Sequence, residues 1–233
     1  MNIHFGWFQL VRALILSDFH GHREAFSKAA SEAKRLKVEL IAVCGDITNF
    51  EHIKKARTLL TPLTNLNLPI LYVPGNCDLS SFFEEKIDKA QNLHASCVTI
   101  KNYAFIGVGG APPSPLNTPL EFPEKWIMDS LNTGYKMCSS EKKLIILSHT
   151  PPINTKIDLA QMNKHIGSQS VRLFVEEQKP LAVFCGHVHE APGIDWIGGT
   201  LVTNPGPAKK GNYALAEIND TIEVKLETFK EKN

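Results

Sequence analysis

Asp18, His20, Asp46, Asn76, His149, His187 and His189 are the residues whose types and placing could do chemistry together. Each lies just beyond a short apolar run. Ala13 to Leu16 runs into Ser17-Asp18-Phe19-His20-Gly21, Leu40 to Cys44 into Gly45-Asp46, and Ile70 to Val73 into Pro74-Gly75-Asn76. Further on, Leu144 to Leu147 runs into Ser148-His149, and Leu181 to Cys185 into Gly186-His187-Val188-His189. Carboxylates, imidazoles and an amide oxygen are the donors that hold two divalent ions a few ångströms apart, an arrangement that activates water for hydrolysis. One such residue at a strand end is ordinarily structural or solvated; it is the conjunction that points to a two-metal hydrolytic site. Gly45, Gly75 and Gly186 beside three of these positions permit close backbone turns.

The elements that must position these side chains follow from the same runs. Continuous apolar segments ending in turn residues read as strands buried on both faces, and ligands of open α/β sheets collect outside the carboxyl ends of such strands. Five strands are therefore expected to deliver the set to one edge. Helical spacing predicts helices over Gly21 to Lys37, over Glu51 to Leu66 with Pro62 ending or bending it, over Phe82 to Ala90, over Glu124 to Cys138, and over Gln169 to Gln178 with Ser168 as N-cap. Strand and helix alternate in the first part, which implies parallel pairing. Cys97 to Ile100 and Tyr103 to Val108 predict a hairpin, and short runs at Ile194 to Ile197, Thr200 to Thr203, Tyr213 to Ile218 and Ile222 to Leu226 predict an antiparallel, mixed last third. Gly109 to Pro123, with five prolines and two glycines, cannot be regular structure; it is either a surface excursion or a wall of the site.

Length and composition narrow the setting. A chain of 233 residues without repeats or a polar linker reads as a single domain, 1–233, with 1–10 as an N-terminal extension too short to span a membrane and without the features of a cleaved leader. A net charge of +1 gives no broad attraction for nucleic acid or an anionic membrane; Lys209-Lys210 is the notable basic pair near a motif. Five cysteines without a Cys-x-x-Cys pair suggest reduced thiols and a cytoplasmic protein.

Asp18-Phe19-His20, Gly45-Asp46, Gly75-Asn76-Cys77-Asp78, Ser148-His149 and Gly186-His187-Val188-His189, in this order and spacing, resemble the motifs of the calcineurin-like metallophosphoesterases. The resemblance implies an α/β fold, a four-layer α/β/β/α sandwich with two mixed sheets. It implies Asp18, His20 and His189 as ligands of one metal, Asn76, His149 and His187 of the other, and Asp46 as the bridge, with Asp46, Asn76, Cys77 and Asp78 as the catalytic group. The metals are two divalent ions, manganese first, with iron, zinc or nickel compatible. The implied reaction is in-line attack on a phosphodiester or activated phosphate ester by a metal-bridging hydroxide. Many members have His after the Asn of the third motif; Cys77, a poorer donor, stands here, as in smaller prokaryotic members, and is either a participant or an inert neighbour of the ligands.

His165-Ile166-Gly167-Ser168 and Asn204-Pro205-Gly206-Pro207 resemble the branch related to bacterial cyclic-nucleotide phosphodiesterases. Substrate contacts are then expected from His22, Ser168 and Asn204, each with a plainer alternative: an exposed first helical turn, an N-cap and a turn residue. The expected partner is a small phosphate ester, a nucleotide among the candidates, without membrane or nucleic-acid binding. The rival readings are a nuclease of the same family, which the near-neutral charge disfavours, and a non-catalytic scaffold of the same fold, which lost ligands would favour.

Overall fold

The computed structural model describes residues 10–138 and 142–229, so the expected extension lies, but for Leu10, outside the described residues. In chain order the elements are β1 (Val11–Leu16), α1 (Arg23–Leu36), β2 (Leu40–Cys44), α2 (Ile53–Thr64), β3 (Ile70–Val73), α3 (Ser81–Glu84) and β4 (Gln91–Asn92). Next come β5 (Cys97–Ile100), β6 (Tyr103–Val108), α4 (Glu124–Lys136), β7 (Lys143–Ser148), β8 (Leu159–Ala160), β9 (Lys164–His165) and α5 (Gln169–Gln178). The chain closes with β10 (Ala182–Phe184), β11 (Gly193–Ile197), β12 (Thr200–Asn204), β13 (Asn212–Ile218) and β14 (Ile222–Thr228).

Two mixed sheets form, ordered β14-β13-β1-β2-β3-β4 and β11-β12-β10-β7-β6-β5. β1, β2, β3 and β4 pair in parallel, as do β6, β7, β10 and β12, while β13, β14, β11 and β5 join antiparallel. The period of two explains the layers. On β1, Ala13 and Ile15 face the second sheet together with Ala42, Phe105, Leu147 and Phe184. Leu14 and Leu16 face the helix side with Phe26, Ala29 and Leu60. The outer face of the second sheet packs Ile106, Ile146 and Val183 on Leu131, Val171 and Phe174 of α4 and α5. The result is the expected α/β/β/α sandwich.

Three expectations are corrected. The site-bearing strands belong to two sheets, so two sets of carboxyl ends, not one edge, converge. Pro62 lies inside α2, which ends two residues later at Thr64. The helix expected over Phe82 to Ala90 is one turn only; the chain leaves it because Arg57 holds the Lys86 carbonyl at 2.8 and 3.0 Å and Gln91 must pair with Leu71. Cys97 and Cys138 form a disulfide between β5 and the end of α4, against the expectation of five reduced thiols; Cys44, Cys77 and Cys185 are free and buried. Among the described residues no helix is long and apolar enough to cross a membrane.

Candidate metal centre

The turns behind β1, β2 and β10 hold Asp18, His20, Asp46 and His187 at φ of 56, 43, 50 and 68°, a region that side chains with a Cβ rarely adopt. Such conformations cluster where the surrounding structure enforces them. Here the turns are laced together: Asp18 N donates to Gly45 O (3.0 Å), His20 N to Asp46 O (2.8 Å), Gly186 N to His149 O (2.9 Å) and His187 N to the Asp18 carboxylate (3.1 Å). The adjacent glycines serve close approach. A Cβ on Gly186 would fall 1.8 Å from Ser17 Oγ, one on Gly45 2.3 Å from His149 Nδ1, and one on Gly75 2.1 Å from Asp46 Oδ1.

Two clusters result, sharing one carboxylate. In the first, His189 Nε2 lies 3.3 Å from Asp18 Oδ1 and 3.1 Å from His20 Nε2. In the second, Asn76 Oδ1 lies 2.7 Å from His149 Nε2 and 2.9 Å from His187 Nδ1. Asp46 spans them, with Oδ2 at 3.3 Å from His20 Nε2 and Oδ1 at 3.6 Å from His149 Nε2. His149 Nδ1 sits 2.8 Å from the Cys44 carbonyl, an acceptor that requires Nδ1–H, so in the neutral ring Nε2 is the nitrogen left to ligate. Two carboxylates, four imidazoles and an amide oxygen converging within hydrogen-bond distance in a largely buried site are oxygen and nitrogen donors that suit a divalent ion, so the donor set fits divalent metal. The structure thus brings together all seven residues that the sequence singled out.

The electrostatics divide: burial disfavours the charged form of His149, but the carboxylates of Asp46 and Asp18 prevail and raise its pKa, while Asp18 and His187 shift toward their ligating forms. Burial opposes ionisation of Asp18, but the His189 hydrogen bond and the nearby imidazoles outweigh it and hold its pKa below the usual carboxylate range. Burial, followed by the charge of His149, pushes His187 down to about 4, toward the neutral form that ligates metal. Cys77, buried beside Asp46 and His20, has its thiol pushed up by burial and then by Asp46, while its backbone N–H donates to Asp46 Oδ1 at 2.8 Å.

Three expected site residues make bracing contacts, which for Ser168 and Asn204 is the plainer alternative given above. Asp78 is buried and accepts from Gly75 N (2.9 Å), Ile47 N (3.2 Å), Thr48 N (2.8 Å) and Thr48 Oγ1 (2.8 Å), tying the β2 and β3 turns; with its oxygens so engaged it does not face reactants. Ser168 is buried as the N-cap of α5, accepting from Val171 N at 3.2 Å and donating to Glu124 Oε2 at 2.7 Å. The Glu124 carboxylate also takes Gln169 N and Ser170 N, so the helix N-terminus already holds its anion and offers none to substrate. Asn204 is buried too; its Nδ2 donates to Val188 O (2.8 Å) and Ala191 O (3.2 Å), fixing the loop that carries His187 and His189. His22 is exposed at the start of α1.

The loop from Gly109 to Pro123 is a wall of the site. Leu120 N donates to Asn76 O at 3.1 Å, and Thr118 Oγ1 accepts from Asn76 Nδ2 at 3.0 Å, which turns Asn76 Oδ1 toward the imidazoles. Glu121 holds that loop: burial opposes its charge, but the bonds from Thr118 and Ser114 prevail and bring it down to about 2. Thr118 left no signal in the sequence, being a small polar residue among prolines. At the loop's start His94 Nδ1 accepts from Gly109 N at 3.1 Å, and its ring stacks on Trp126.

Burial pushes His94 from 6.5 to about 4, so between those values the unfolded chain binds the proton that the folded protein refuses. Stability is therefore full above pH 6.5 and declines as pH falls, by about 3 kcal/mol at pH 4. Denaturant melts at pH 7 and pH 4.5 should show a smaller drop for His94→Gln, which keeps an acceptor but does not titrate; equal drops would refute this assignment.

Residues 48–229 match the family described as metallophosphoesterase, calcineurin superfamily. The chain is 35% identical over 217 residues to an uncharacterized protein of Methanocaldococcus jannaschii, covering 88% of this chain and 95% of that one. It is 26% identical over 181 residues to a probable glycerophosphodiester phosphodiesterase of Arcobacter nitrofigilis, covering 74% of this chain and 64% of the relative. In structure it is similar to TT1561 of Thermus thermophilus, with a TM-score of 0.77 at 20% identity over 95% of this chain and 100% of that one, a likeness of fold.

Proposed function

The chain belongs to the calcineurin superfamily of metallophosphoesterases, and from that premise we propose a dinuclear, metal-dependent hydrolase of phosphodiesters or activated phosphate esters, acting as one domain on a small substrate. The observation that carries the reading is Asp46, whose two carboxylate oxygens face different histidine clusters. Asp18, His20 and His189 would hold one ion, Asn76, His149 and His187 the other, and Asp46 both. Manganese heads the list, with iron, zinc or nickel compatible with such mixed donors. When bound, two such ions supply a water of lowered pKa and neutralise charge on phosphoryl oxygens.

The protein's own groups do the rest. His149 is oriented by the Cys44 carbonyl and Asn76 by Thr118, so both donors are fixed before substrate arrives. The filled ligand set supports catalysis over a scaffold role.

The diester preference follows from Cys77. With its thiol held protonated and a weak donor, little assists the leaving oxygen, so the rate should fall steeply with leaving-group basicity. The relative from Arcobacter nitrofigilis is itself a probable diesterase by name. The test is turnover of aryl and alkyl mono- and diesters by protein stripped of metal and reloaded with each ion in turn. Activity should require added metal, bis-aryl phosphate should outpace alkyl monophosphate, and Cys77→His should recover about tenfold on the poorer leaving groups, roughly 1.4 kcal/mol for one hydrogen bond. Undiminished turnover in verified metal-free protein would sink the reading, and a flat leaving-group dependence would sink the role of Cys77.

A further inference from the structure

Beside the metal centre lies a cleft of about 410 Å³ lined by His22, Lys28, Lys209 and Lys210 over an apolar floor of Ala208 and Phe229. Its lysine turn is tied to the segment that carries Asp18: Ala208 N donates to Ser17 O at 2.8 Å and Lys209 N to Asp18 O at 3.4 Å, and His22 follows His20 by two residues.

Among the described residues two of the cleft's three lysines are without a carboxylate partner. Lys28 pairs with Glu24 at 2.9 Å, but among the described residues neither Lys209 nor Lys210 has a carboxylate within ion-pair distance. α1 begins at the same place with no side chain capping its N-terminus, so its first amide groups add positive potential that Glu24 in that turn offsets in part. Unpaired like charges held together repel one another and favour an anionic guest. The two-metal centre accounts for the anion at the reacting phosphoryl group; it leaves this second positive region unexplained.

Resting on the phosphoesterase reading above, we propose that the cleft binds a second anionic group, a carboxylate or phosphate, carried on the organic part of the ester, and so selects esters whose organic part is charged over those whose organic part is neutral. Lys209 and Lys210 are the specificity-determining residues, with His22 at the mouth. The apolar floor accommodates the short carbon chain between the two anions.

The test uses the full chain reloaded with manganese and a matched pair of diesters, 4-nitrophenyl 2-carboxyethyl phosphate and its methyl ester, which share reacting bond and leaving group and differ by one charge. The acid should show a KM about tenfold below that of the methyl ester at low ionic strength, and the ratio should approach one in Lys209→Gln/Lys210→Gln. Lys125→Gln, which removes an exposed charge from α4, should keep the wild-type ratio. Calorimetric titration of metal-free protein, where no turnover occurs, should show the acid binding more tightly than the ester, with a preference lost in the double variant. Equal KM values in the wild type, or a preference that survives the double variant, would overturn the proposal. If the metal-loaded wild type hydrolyses neither diester, the phosphoesterase reading falls, while the calorimetric preference still decides whether the cleft selects the charge.

Discussion

Asp46→Ala is expected to lower kcat/KM by about 10³-fold or more, some 4 kcal/mol, and to reduce bound metal below two ions per chain. The expectation follows from position: Oδ2 stands 3.3 Å from His20 and Oδ1 3.6 Å from His149, so one truncation removes a donor from both clusters. It also removes the acceptor for the Cys77 backbone N–H at 2.8 Å, which loosens the turn behind β3. Asn204→Ala is an instructive comparison. Its loss leaves the Val188 and Ala191 carbonyls and the Gly206 N–H without their side-chain partner in a buried place. That should cost about 2 kcal/mol of stability, with a smaller loss of turnover, because Asn204 holds a loop and not an ion. Elemental analysis beside steady-state kinetics separates the two. An Asp46→Ala protein that retained both metals and a tenth of wild-type activity would end the bridging assignment.

Gly75→Ala is expected to be nearly as damaging although it adds one methyl group. Its Cβ would lie 2.1 Å from Asp46 Oδ1 and 2.2 Å from Asp46 N, neither of which can yield. Asp46 N is backbone, and Oδ1 is held by Cys77 N. The backbone at Gly75 is not in the left-handed region, so the effect is purely one of space. Overpacking of this kind costs roughly 1–3 kcal/mol or more, and here relief is available only by moving the shared carboxylate. Turnover should drop about 100-fold or more and metal affinity with it, a scale set by misplacement of catalytic groups by an ångström. Gly199→Ala is the matched control, since no heavy atom lies within 4 Å of its added methyl group. A Gly75→Ala protein with wild-type melting temperature, metal content and turnover would show that the close approach is not required.

What the sequence by itself determined is local. Runs such as Leu40 to Cys44 and Ile70 to Val73 match β2 and β3 residue for residue, because a strand buried on both faces must be apolar throughout. Asp18, Asp46, Asn76, His149 and His187 were legible as a set because each stands close behind a strand end, and a strand fixes where its end points. Ser168 as an N-cap was equally readable, since the bond to Val171 N spans three residues.

Only the tertiary structure decided which ends meet. The five runs divide between two sheets, and the sharing of Asp46 by the two clusters arises from contacts such as His149 Nδ1 to Cys44 O, 105 residues apart. The same holds for Thr118, which orients Asn76 across 42 positions, and for Cys97 and Cys138, 41 apart in the chain. It also holds for the demotion of Asp78 and Asn204 from chemistry to bracing. A carboxylate or amide behind a strand has the same appearance in sequence whether it faces a cation or backbone N–H groups and carbonyls. The choice is made by burial, which forces every buried polar atom to find a partner from whatever distant segment packing brings beside it.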